Sequence, residues 1–64
     1  MELSEKQIEI LQLVANGKSN KTIASLMWHA PSTIKYHKRR IKKILCTQNM
    51  THSVAVAWRL GLIR

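Results

Sequence analysis

Between Thr33 and Leu45 the chain reads TIKYHKRRIKKIL, thirteen residues that carry six of its eleven lysines and arginines around an aliphatic stripe. At 100° per residue, Ile34, Ile41 and Leu45 fall within about 40° of one another, Ile44 borders them, and Lys35, Tyr36, Arg39 and Lys43 point away. The pattern predicts a helix with one side made for a core and the other for a polyanion. Such a helix is held rigidly only if other helices cover its apolar side, so the rest of the chain has to supply that cover.

Sixty-four residues make one small domain, 1–64, near the lower limit at which a hydrophobic core alone outweighs chain entropy. The net charge is +8, and the only acids, Glu2, Glu5 and Glu9, stand among the first nine residues. A charge so polarised attracts nucleic acid or an acidic membrane surface. There is no apolar run of about twenty residues and no secretory signal pattern, so neither a membrane span nor export is expected and the cytoplasm is the default location. The single cysteine, Cys46, excludes an internal disulfide, and His29, His37 and His52 lack metal-ligand spacing. No metal and no cofactor is expected. A carboxylate pair, an activated nucleophile and a glycine-rich phosphate loop are all missing, which makes an enzyme the least expected class.

Local signals divide the chain into four helices and nothing else. Ser4 with Gln7 three residues on has the form of a capping box, and Glu5 suits the positive end of a helix. Ile8, Ile10, Leu11, Val14 and Ala15 then form an apolar arc that Gly17 can close in the left-handed conformation, so a first helix is predicted over about 5–16. Ser19 caps a second over about 20–27, with Ile23, Ala24 and Met27 on one side. Pro31 favours a first helical turn, placing the third over about 31–45. Thr51 is the cap read for a fourth over about 51–60, with Val54, Ala55, Ala57 and Trp58 apolar. The fold class is all-α. Two helices joined by three or four residues, the second with a cationic outer face, form a helix-turn-helix, whose second helix lies in the major groove of DNA.

Several segments together resemble the bacterial LuxR-type, or GerE-like, helix-turn-helix domain. They are Leu3-Ser4 with Glu9, Ile10 and Leu11; Gly17-Lys18-Ser19-Asn20-Lys21; Ile23-Ala24; Thr33-Ile34-Lys35-Tyr36-His37; Ile41; and the tail Leu60-Gly61-Leu62-Ile63. The resemblance spans essentially the whole chain in order and spacing. It implies a four-helix domain of a bacterial transcription regulator that binds double-stranded DNA at a promoter or operator, helix three reading the major groove. It also implies a homodimer formed through helix four.

By position, the resemblance gives Lys35, Tyr36 and Arg39 the base-edge contacts, with Lys43 extending that face. Lys21, Ser32, Thr33 and Lys42 match positions near the phosphates, where a helix start, a hydroxyl or a lysine meets phosphate oxygen. Arg39 is the leading direct reader, because a guanidinium can donate two hydrogen bonds to guanine O6 and N7. Val54, Ala57 and Trp58 are the candidates for the dimer interface. Several positions depart from the family pattern, among them Trp28 and His29 in the turn before helix three and Ile44 in place of a usual lysine. Ala30 replaces a common serine cap, and Cys46 replaces the glycine after helix three, which predicts a distorted or extended end to that helix.

The blander reading of Lys35, Arg39 and Lys43 is a solvated helix face. Against it, helix three contains no acid to form supporting pairs one turn apart, and like charges at that spacing destabilise it. Lys38, nearer the buried side, and Arg40 are left open between solvent and DNA. His37 reads as a packing or orienting residue, Trp28 and Trp58 as core or interface pieces, and Cys46 as a thiol at least half buried. Two rival functions use the same basic helix: engagement of an acidic partner protein such as an RNA polymerase subunit, and attachment to an anionic lipid surface.

Overall fold

The computed structural model describes residues 3–64, which leaves Glu2 outside it. Four helices follow in order: α1 Glu5–Ala15, α2 Asn20–Met27, α3 Pro31–Leu45 and α4 Met50–Arg59. The Ser4 and Gln7 side chains form the expected reciprocal cap. The Gln7 amide donates to Ser4 Oγ at 3.1 Å and the Ser4 amide to Gln7 Oε1 at 3.0 Å. Ser19 Oγ accepts from the Thr22 amide at 3.2 Å and starts α2. No side chain caps α3. Ala30 offers none, and Pro31 at the helix start has no amide proton to satisfy.

α4 starts one residue earlier than predicted, and its cap is Asn49, not Thr51. Asn49 Oδ1 accepts from the His52 amide at 2.8 Å. The reason lies two residues further in: the Ser53 hydroxyl, fully buried, donates to the Asn49 carbonyl at 3.0 Å and shares a hydrogen bond with Thr47. Both ends of the turn before α4 are therefore fixed from inside the helix.

All four helices close in one way, with the residue after the last turn left-handed and two amides reaching back into the helix. After α1 the residue is Gly17 at φ 84°, with the Gly17 amide bonded to Val14 and the Lys18 amide to Leu13. After α4 it is Gly61 at φ 74°. After α2 and α3 the same place is taken by Trp28 at φ 60° and Cys46 at φ 56°. Cys46 therefore neither distorts nor extends α3. The Thr47 amide reaches the Lys42 carbonyl at 2.9 Å, as it would after a glycine. Adopting that backbone costs a non-glycine residue about 1 to 2 kcal/mol, while glycine adds entropy to the unfolded chain worth about 0.4 to 1 kcal/mol. Cys46→Gly is expected to stabilise the protein by about 0.5 to 1 kcal/mol in a urea titration, a shift that a structural role for the thiol would reverse.

Among the described residues eight make the core: Ile10 and Leu11 of α1, Ile23 and Ala24 of α2, Ile34 and Ile41 of α3, Ala57 of α4, and Ile63 of the tail. Leu45 and Val54 are half buried beside them. α3 packs against each of the other three helices, whereas α2 meets only α1 and α3. The tail is clasped to α1, with the Arg64 amide donating to Gln12 Oε1 at 2.8 Å and Gln12 Nε2 donating to the Arg64 carbonyl at 3.0 Å. The consequence for α3 is geometric: three helices grip its apolar stripe, and one whole side is left to solvent.

Candidate nucleic-acid interface

Ile34 and Ile41 are fully buried, so the direction of α3's core stripe is fixed and the opposite arc follows from helical spacing. Ser32, Lys35, Tyr36, Arg39, Arg40 and Lys43 all lie on that arc, and all are exposed. The four residues assigned to base edges, Lys35, Tyr36, Arg39 and Lys43, thus share one face. Of those assigned to phosphate, Ser32 is exposed beside them, Thr33 and Lys42 are half buried at the margins, and Lys21 is exposed in the first turn of α2.

Electrostatics sharpens the picture. The described side-chain carboxylates, Glu5 and Glu9, both stand on α1, and α3 carries none. Half-buried Lys38 has its pKa lowered by desolvation, the behaviour of an ammonium whose stem runs along apolar surface. No described helix is long and apolar enough to cross a membrane.

His37 sits at the edge of this face, half buried, with Nδ1 enclosed and unpartnered. Its pKa lies below 6.5, first because burial disfavours the imidazolium and then because His29, Lys6 and Arg40 repel it. A depressed folded-state pKa means the unfolded chain binds the proton more readily, so stability is complete above pH 6.5 and falls as the pH drops below it. The melting temperature is expected to decline from pH 7.5 to 5, and His37→Gln to flatten that decline. An unchanged slope in the variant would assign the acid sensitivity elsewhere.

Three sequence expectations need correction. Ala57 was grouped with Val54 and Trp58 as an interface residue, but it is fully buried in the core and has no surface to offer a partner. Its place on α4 faces α1 and α3, whereas Trp58 is 61% exposed and Val54 half buried. Trp28 is 94% exposed in the turn between α2 and α3, which overturns the core alternative for it and leaves the interface alternative. Cys46 is exposed, because its left-handed backbone lifts it off the end of α3. Sequence reasoning also passed over Leu60, 62% exposed beside Trp58. The signal was present in the alternation of apolar residues past Ala57, read instead as part of the family's tail.

The chain matches the family of bacterial regulatory proteins of the luxR type over residues 1–57. It is 41% identical over 61 residues to the transcriptional regulator AlkS of Pseudomonas putida, covering 95% of this chain and 7% of that protein. It is 41% identical to the quorum-sensing regulator RhlR of Pseudomonas aeruginosa, covering 95% and 25%. The response regulator VraR of Staphylococcus aureus is 39% identical over 62 residues, covering 97% and 30%. The chain thus spans less than a third of each of these relatives. Among solved structures it is similar to the transcription factor GerE, with a TM-score of 0.94 at 22% identity over 97% of this chain and 92% of that one, a likeness of fold.

Proposed function

The chain belongs to the luxR family of bacterial regulatory proteins, as a helix-turn-helix DNA-binding domain, and we propose that it reads duplex DNA by seating α3 in the major groove. Lys35, Tyr36, Arg39 and Lys43 address base edges in this reading. Lys21, Ser32, Thr33 and Lys42 hold the phosphates, which fixes register without carrying sequence information. The observation that supports it best is the pairing on one helix of a fully buried aliphatic stripe with an arc that is exposed along its whole length and free of acid. A solvated surface helix gains nothing from that composition; a helix between phosphate strands does.

The unit is a single domain, 1–64, acting in the cytoplasm as part of a transcription regulator and catalysing no reaction. On DNA it pairs with a second copy through α4 and the residue that closes it, where Trp58 and Leu60 present apolar surface and Val54 is half buried. Symmetry then places two inverted half-sites about one helical turn, roughly 10 bp, apart. RNA polymerase is a further partner consistent with a promoter-bound regulator. Selection of bound sequences from random duplex DNA tests the whole reading. An inverted repeat of about that spacing supports it, recovery of a single half-site removes the dimer, and absence of any enriched sequence removes base reading.

A further inference from the structure

Arg40 belongs to neither the base-edge set nor the phosphate set, yet its guanidinium carbon lies 5.8 Å from the centre of the Tyr36 ring. The Tyr36 and His37 rings are steeply inclined with centres 5.6 Å apart, and the His37 ring centre lies 6.3 Å from that of His29 in the turn before α3. An arginine laid over an aromatic ring is confined to one side of its helix, so less freedom is lost when it meets a ligand.

Position gives that confinement a use. At 100° per residue Arg40 and Lys42 lie about 160° apart, and the two cations bracket the exposed arc of α3 from opposite margins. A helix in the major groove lies between two phosphate strands, and a cation at one margin alone meets only one of them.

We propose that Arg40, held over Tyr36, forms a second phosphate-contacting edge, gripping the groove wall opposite the one met by Lys42. The inference rests on the DNA-binding reading above. It makes Tyr36 a positioning residue for Arg40 as well as a neighbour of the bases.

The test is a fluorescence anisotropy titration of labelled duplexes, one selected and one unrelated, over a series of salt concentrations. Wild type, Arg40→Ala, Tyr36→Phe and Tyr36→Leu are compared, the last two each also combined with Arg40→Ala, with helicity checked by circular dichroism. Arg40→Ala should make the logarithmic salt slope shallower by about one, with equal affinity losses on both duplexes. Tyr36→Leu should shrink the effect of Arg40→Ala, and Tyr36→Phe should preserve it. A wild-type slope in Arg40→Ala, or a loss confined to the selected duplex, overturns the second edge. Equal Arg40→Ala losses with Tyr36 and with Leu at that position overturn the stacking role. Failure of the wild-type chain to bind any duplex sinks the DNA-binding reading itself, a distinct outcome from wild-type binding with an unchanged Arg40→Ala slope.

Discussion

Ile41→Ala is expected to lower the free energy of unfolding by about 2 to 5 kcal/mol. Ile41 is fully buried, on a helix that packs against all three others. Ile10, Ile23 and Ala57 of the same core come from three different helices, so no single backbone shift can close the space the lost carbons leave. A chain of this size has a total stability of roughly 3 to 10 kcal/mol, so the substitution removes a large part of it. Urea unfolding followed by circular dichroism measures the loss, with Lys43→Ala as the exposed control, expected within about 0.5 kcal/mol of wild type. DNA affinity should fall with the folded fraction and recover at temperatures where the variant is still folded. A loss under about 1 kcal/mol would mean that α3 is not gripped on this side, and the orientation of its cationic arc would go with it.

That arc was legible because two signals on α3 agree: aliphatic residues recur at helical spacing, and every acid lies elsewhere. The bounds of α2 and α3 follow from Ser19, Pro31 and the end of the apolar pattern, and the structure keeps them as expected. What sequence could not separate is competition between equal local signals. Thr47, Asn49 and Thr51 are all good helix starters within five residues, and the choice of Asn49 is made by Ser53, whose buried hydroxyl pulls on the Asn49 carbonyl. A tertiary burial decides a local cap.

Trp28 and Cys46 were opaque for a different reason. The left-handed conformation that ends a helix is signalled by glycine, and at Gly17 the signal was read correctly. At Trp28 and Cys46 the same geometry is imposed by the paired return hydrogen bonds, against side-chain preference. Once the backbone turns left-handed, the side chain is carried outward, so two residues whose chemistry suggests burial end exposed. The Ala57 error has a similar origin. One helical face was read as one surface, but the C-terminal tail folds back through the Gln12 clasp and Ile63 joins the core beside Ala57, leaving Trp58 and Leu60 outside.

The loss with the greatest consequence for function is expected at Arg39. It stands exposed near the middle of the arc, between Lys35 and Lys43 one turn to either side, where a helix lying in the groove comes nearest the base edges. A guanidinium there can donate two parallel bonds to one guanine, and Arg39→Ala is expected to cost about 1 to 3 kcal/mol, roughly 5- to 150-fold, at one base position of the selected site. Stability should stay within about 0.5 kcal/mol, since no buried partner is lost. Arg39→Lys separates the two things a cation can do in this place. It keeps the charge, so the salt slope and the affinity for unrelated DNA should remain near wild type. It lacks the planar fork, so preference for the guanine should still be lost. Binding curves on the selected duplex and on a set with that base pair changed in turn decide the matter. If Arg39→Ala weakens every duplex equally and Arg39→Lys restores all of them, Arg39 neutralises phosphate and the sequence is read from another position on α3.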